Sequence, residues 1–190
     1  MALCLAMRLF VGYTVDLSGA EWQIVGRRNS GVSSLKEEVE RMFLGEYKHS
    51  IDDKGRVTVP ARYRELLEEG AYITQGFDRN LMVLQPDTFL GLSEKLDEMS
   101  ITNAQVRQLR RMLLSRAERI APDGSGRILV PNFLRQIVDI GGDVYLIGSG
   151  AFFELWSAET WQQQRKELES THEDANYFAG LELFANGAMD

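Results

Sequence analysis

Apolar and polar positions recur along the chain in one order of elements. From Phe43 the segment FLGEYKHSI (43–51) reads as extended chain, and a charged turn follows it. The β-branched run Arg56-Val57-Thr58-Val59 comes next and ends at Pro60. Short runs of this kind, bounded by Gly and Pro, predict strands. The apolar spacing then lengthens, and Tyr63, Leu66 and Leu67 share one face of a predicted helix. Pro60 is expected at the first helical position, where a missing N–H costs nothing, and Gly70 is a natural stop. Two short strands, at about 71–75 and 81–85, and a helix from near Asp87 complete the unit.

The order then returns. A weaker extended segment at about 116–121 leads to Arg127-Ile128-Leu129-Val130 and Pro131. A helix burying Leu134, Ile137 and Val138 follows, with Gly141 as its stop. Strands are predicted at about 143–147 and 152–156, and a helix from near Glu159. Between the two units, 102–116 has the helical period, with Val106, Leu109 and Leu113 inward. Arg107, Arg110 and Arg111 lie mostly off that stripe and read as a solvated face.

The likeness is literal. DDKGRVTVPARYRELL (52–67) and DGSGRILVPNFLRQIV (123–138) match at a constant offset of 71. The matched pairs are Asp52 and Asp123, Gly55 and Gly126, Arg56 and Arg127, Val59 and Val130, Pro60 and Pro131, Arg64 and Arg135. After a one-residue indel, LMVLQPDTF (81–89) matches FELWSAETW (153–161). Two copies are too few for a solenoid. Strands this short do not make an independent sheet in each half, so the halves are expected to pair into one barrel-like core.

Composition narrows the reading. The chain has 190 residues, room for one domain or two small ones. The single cysteine, Cys4, excludes an internal disulfide and fits a reducing cytoplasm. His49 and His172 stand far apart in sequence, so no metal site and no cofactor is expected. Net charge is −7 and uneven: residues 157–190 carry two basic and seven acidic side chains, while 42–156 carry 14 and 16. The near-neutral middle leaves room for a basic face, although the total argues against a generally sticky nucleic-acid binder.

No stretch reaches the length of a membrane span, and no membrane partner is expected. The apolar start MALCLAMRLFV is interrupted by Arg8 and lacks a basic lead. Residues 1–41 are expected to lie outside the fold, as a disordered extension or as sequence upstream of a start at Met42. The remaining layout is a first half at 42–101, a linking helix at 102–116, a second half at 117–170 and an acidic tail at 171–190.

Enzyme signatures are missing. There is no GxxxxGKS/T phosphate loop, no GxSxG and no HExxH. Asp52 and Asp53 are adjacent, so on extended chain their carboxylates diverge. The specific signal is the duplicated Asp-x-x-Gly-Arg turn. Glycine at its fourth place supplies a backbone conformation that other residues resist. On the plain reading an Asp–Arg pair stiffens each turn. On the sharper one the aspartate orients an arginine toward a partner, since the guanidinium fork matches phosphate oxygens and the O6/N7 edge of guanine. Both readings can hold together.

The chain resembles the MraZ family of bacterial transcriptional regulators, within the AbrB-like swapped-hairpin DNA-binding superfamily. The resemblance covers about 42–170. It rests on MFLGEYKHSIDDKGRVTVPARYRE, QGFDRNLMVLQPDTF, RRMLLSRAERIAPDGSGRILVPNFLR and FELWSAETWQQQ. It implies an α+β fold of mainly short strands, in which tandem swapped-hairpin halves form an intrachain pseudo-dimeric barrel with packed helices. It also implies a cytoplasmic, nucleoid-associated protein that binds direct repeats in double-stranded promoter DNA upstream of its own division and cell-wall operon. Ring-shaped homo-oligomers are expected. Arg56, Arg127 and Lys54 would be the DNA-binding residues, with Asp52, Gly55, Asp123 and Gly126 supporting the turns. Rival expectations are a structural ring whose Asp–Arg turns are interface staples, and an antitoxin-like module of the same superfamily.

Overall fold

The computed structural model describes residues 39–173, with backbone alone for 171–173. The strands are Glu46–Ser50 (β1), Arg56–Thr58 (β2), Ala71–Gln75 (β3), Leu81–Leu84 (β4), Glu118–Ile120 (β5), Arg127–Leu129 (β6), Asp143–Gly148 (β7) and Phe152–Ser157 (β8). The helices are Ala61–Leu66 (α1), Pro86–Glu98 (α2), Ala104–Leu114 (α3), Asn132–Ile137 (α4) and Ala158–Glu173 (α5). Helix α5 lies in a separate compact unit; it carries Glu159 in its first turn and a buried Trp161. Of the expected extension at 1–41, only Val39–Arg41 falls among the described residues. The acidic tail beyond 173 lies outside them as well. Among the described residues no helix is long and apolar enough to cross a membrane.

The fold is α+β with antiparallel strand pairing throughout. Six strands form a sheet in the order β1-β7-β8-β4-β3-β5, and β2 pairs with β6 in a separate ribbon. The order reads the same from both ends once the halves are exchanged. The first strand of each half pairs with the third strand of the other: Glu46 faces Ile147 and Ser50 faces Asp143, while Ala71 faces Ile120. At the centre β4 meets β8, with Leu81 opposite Leu155 and Leu84 opposite Phe152. Neither half holds a sheet of its own.

The expected barrel does not close. The sheet is open, with β1 and β5 at its edges. The short segments that could have bridged the gap are three residues each, bounded by an aspartate turn on one side and proline on the other. They spend their ladder on each other, with Arg56 opposite Leu129, Val57 opposite Ile128 and Thr58 opposite Arg127. A one-residue bridge from Ile51 to Val57 ties the ribbon to the end of β1.

Beneath the ribbon lies a core drawn equally from both halves. Val57, Val59, Tyr63 and Leu67 are fully buried, as are Ile128, Val130, Leu134 and Val138. Burial of each such large apolar side chain contributes about 1.5–3 kcal/mol. The ring of Phe43 packs edge-on to Tyr63 at 4.9 Å and against Phe153 at 5.1 Å. Tyr63 donates its hydroxyl to the Leu44 carbonyl at 3.1 Å. Burial, then the neighbouring Tyr47, pushes that phenol up to about 12.

Local chemistry departs from the sequence reading in three places. Pro60 and Pro131 are the caps preceding α1 and α4, with ψ of 143° and 139°, and the helices begin one residue later. Gly70 stops α1 at φ 85°, but in the second half the left-handed residue is Asp139 at φ 54°, not Gly141. There the Ile140 amide reaches back to the Arg135 carbonyl at 2.9 Å, so the chain turns before Gly141. On α3 only Leu113 of the expected stripe is fully buried, with Val106 and Leu109 half-buried. Arg111 is exposed, but Arg107 donates to the carbonyls of Ile101 and Thr102, both at 2.8 Å. Arg110 donates to the Leu96 carbonyl at 3.1 Å and pairs with Asp97. The Ile101 and Thr102 carbonyls lie in the α2–α3 loop, outside any helical ladder, and Arg107 supplies their donor. The Leu96 carbonyl accepts from Arg110 as well as from the Met99 amide at 3.2 Å.

Candidate nucleic-acid interface

Each aspartate turn is built the same way. In the first, the Asp52 amide donates to the Arg56 carbonyl at 2.9 Å and the Gly55 amide to the Asp52 carbonyl at 2.8 Å. Gly55 has φ 80°, a conformation that opposes a side chain. One carboxylate oxygen, Oδ1, accepts from the amides of Lys54 at 3.0 Å and Arg56 at 2.9 Å. The other, Oδ2, accepts Arg56 Nε at 2.8 Å and lies 2.7 Å from Arg56 Nη2. The second turn repeats this around Gly126 at φ 70°. Asp123 Oδ1 accepts from the amides of Ser125 at 2.9 Å and Arg127 at 3.0 Å. Its Oδ2 accepts Arg127 Nε at 3.0 Å and Nη2 at 2.8 Å.

These bonds set the electrostatics. The Arg56 side chain, then its amide, holds the Asp52 carboxyl down to about 2. Asp123 is likewise held below the ordinary carboxylate value, by Arg127. Arg56 is raised in turn, chiefly by Asp52. Each aspartate engages one side of its guanidinium, Nε and one Nη2 proton. Nη1 takes no part in that bond in either turn, and Arg127 Nη1 lies 3.8 Å from Asp52 Oδ2. The Nη1 and Nη2 donors of a guanidinium form a fork that matches the paired acceptors of a guanine edge or a phosphate.

The ribbon brings the two arginines together. Residues directly opposite in an antiparallel pair share a face, and alternate residues along a strand share one too. Arg56, Thr58, Arg127 and Leu129 therefore lie on one side. Val57 and Ile128 lie on the other, fully buried. The arginine side chains are about 30% exposed, at 29% for Arg56 and 30% for Arg127. Arg127 Nη1 also comes within 3.8 Å of Asp52 Oδ2, so charges from both halves form one cluster. Lys54 sits exposed at the tip of the first turn, where the second turn has Ser125.

A second arginine pair supports the turns from below. Sequence reasoning matched Arg64 with Arg135 and assigned them no role. Each crosses to the turn of the other half. A Cβ on Gly126 would lie 2.3 Å from Arg64 Nε, and one on Gly55 would lie 2.9 Å from Arg135 Cζ. Arg64 Nε donates to the Val59 carbonyl at 2.8 Å, whereas Arg135 Nε is buried without a partner. The turns are also laced across the halves, with the Val59 amide donating to the Gly126 carbonyl and the Val130 amide to the Gly55 carbonyl. The one sequence signal for this was that arginine and glycine recur together at the same offset.

Among the described residues no group of three or more His, Cys, Asp or Glu gathers where it could hold a metal ion. Comparison with known proteins bears on the repeat directly. A family model described as "MraZ protein, putative antitoxin-like" matches the chain twice, over residues 42–112 and 113–179. A protein of Roseiflexus castenholzii named "Transcriptional regulator MraZ" is 41% identical over 138 residues, covering 73% of this chain and 94% of its own length. Proteins of that name from Heliobacterium modesticaldum and Finegoldia magna are 41% and 38% identical over 133 residues, each covering 70% of this chain and 93% of its own length. The relatives are named as transcriptional regulators and not as enzymes. With both halves matched by one family model and relatives aligned over nearly their full length, this chain belongs to the MraZ family.

Proposed function

We propose that the chain is a sequence-specific DNA-binding transcriptional regulator whose reading surface is the exposed face of the β2–β6 ribbon. One observation carries the reading: an arginine from each half, held by its own aspartate, lies on that face with its side chain partly exposed. The major groove admits a two-stranded ribbon, and an arginine fork is the commonest specific partner of guanine. Because each arginine is already paired with an aspartate, non-specific attraction to phosphate is muted and directional bonding is favoured. Lys54 adds an unmuted charge beside them, suited to a backbone phosphate. The reciprocal exchange of first strands between the halves supports an AbrB-like swapped-hairpin pseudo-dimer, with halves at 42–101 and 117–170 joined through 102–116.

In this reading the protein forms a homo-oligomeric ring and occupies tandem direct repeats upstream of its own division and cell-wall operon, repressing it at the nucleoid. A single ribbon is a small contact, and linking several raises the effective concentration of later contacts. Affinity should then rise steeply from one repeat to three and fall with added salt. Titration of the protein against duplexes carrying one, two and three repeats, at two salt concentrations, tests this. Equal affinity for all three, or indifference to salt, contradicts it.

A further inference from the structure

We infer that Thr58 and Leu129, which occupy equivalent positions in the two halves, make the ribbon read an asymmetric DNA site, with Leu129 set against a thymine methyl group. The inference rests on the DNA-binding reading above. Exchange of the halves carries Arg56 onto Arg127, like onto like, but it carries Thr58 onto Leu129. The face is thus twofold in its charges and not in its uncharged pair.

Leu129 is directly opposite Arg56 and 53% exposed, on the same face as both arginines. A lone exposed leucine is ordinary on a protein surface. This one is next to both arginine positions in the register, on a ribbon whose other side is fully buried, and every other side chain of its face is polar. Leucine offers no donor or acceptor to a base edge. In the major groove its favourable partner is the thymine C5-methyl group. Thr58, opposite Arg127 and half-buried, carries a hydroxyl and a methyl and tolerates more bases. A palindromic duplex presents the same edge to both positions, so it satisfies leucine at one end and wastes it at the other. A non-palindromic site fixes the orientation of every ribbon on the DNA. Tandem sites must then run head to tail.

The test replaces thymines one at a time with deoxyuridine in the DNA upstream of the protein's own gene, which removes only the methyl group. Burying one methyl changes affinity by about fourfold. Wild-type protein should lose about that much at one thymine per repeat. The Leu129→Thr variant should lose sensitivity at that thymine while keeping its melting temperature, because the side chain is exposed and threonine suits a strand. The doubly exchanged variant, Thr58→Leu with Leu129→Thr, should move the sensitive thymine to the twofold-related position. An unchanged deoxyuridine profile in both variants, with salt-dependent binding retained, overturns the inference and leaves the DNA reading standing. Failure of wild-type protein to bind the upstream DNA at all overturns both.

Discussion

The first and second aspartate turns share a backbone and differ in what surrounds it. Asp52 Oδ2 faces two arginines, Arg56 at 2.7 Å and Arg127 at 3.8 Å, whereas among the described residues Asp123 lies within ion-pair range of Arg127 alone. Arg64, beneath the second turn, is anchored on a carbonyl, while Arg135, beneath the first, leaves its Nε buried and unbonded. Lys54 tips one turn and Ser125 the other. Duplication therefore preserved what the backbone requires, namely aspartate, a left-handed glycine and a proline cap. The four arginines are kept as well; what has diverged is the turn tip, the uncharged pair Thr58 and Leu129, and the bonds the shared arginines make. Fold and surface answer to different constraints, and substitutions at matched positions should separate them.

The largest difference is expected at the glycines. Alanine in the left-handed region costs about 1–2 kcal/mol at either position. At both the added methyl displaces the crossing arginine, but only at Gly126 does that break a bond, of Arg64 to the Val59 carbonyl, worth about 1 kcal/mol more. Gly126→Ala should therefore destabilise by about 2–3 kcal/mol and Gly55→Ala by about 1–2 kcal/mol. Denaturant unfolding of both variants measures this, and equal losses would break the distinction between the turns.

A smaller contrast is expected at the supporting arginines. Arg64→Met removes a hydrogen bond and should cost about 1 kcal/mol. Arg135→Met removes a buried, unbonded N–H while keeping the apolar stem in place, so thermal melts should show little change or a slight gain.

The least effect is expected from acid. A carboxylate held below its unfolded value near 3.9 contributes stability that is fully present above that value and lost as pH falls through the folded one. For Asp52, held down to about 2, the loss belongs between about pH 4 and pH 2. The turns should thus be insensitive to pH near neutrality. A carboxyl NMR titration in which Asp52 shifts near pH 4 would show that the Arg56 pairing does not persist in solution.

The contrast between the halves also explains what was readable beforehand. Turns are decided within a few residues, so Asp52 and Gly55, with their counterparts, could be placed from spacing alone, and Pro60 and Pro131 to within one residue. The pairing of β1 with β7 and of β5 with β3 could not. Alternation shows which face of a strand is buried and is silent on which neighbour it joins. The same blindness produced the expectation of a closed barrel. The reach of Arg64 and Arg135 into the opposite turn is invisible for this reason too, since it depends on the halves being interlocked. Arg107 and Arg110 were misread because their acceptors are carbonyls outside α3. The candidate site was legible only as a pair of turns, while the ribbon that sets both arginines on one face emerged with the register of β2 and β6.

The central claim is that Arg56 and Arg127 act outward, on DNA, more than inward on the turns. It is tested most directly by binding of Arg56→Ala, Arg127→Ala and the double variant to the DNA upstream of the protein's own gene, with melting temperatures measured alongside. Loss of a bidentate contact is worth about 1–3 kcal/mol, so each single variant should bind about five- to 150-fold more weakly while melting close to wild type. Wild-type affinity in all three variants, with melting temperatures lowered, would show that the arginines are staples of the fold and would contradict the account.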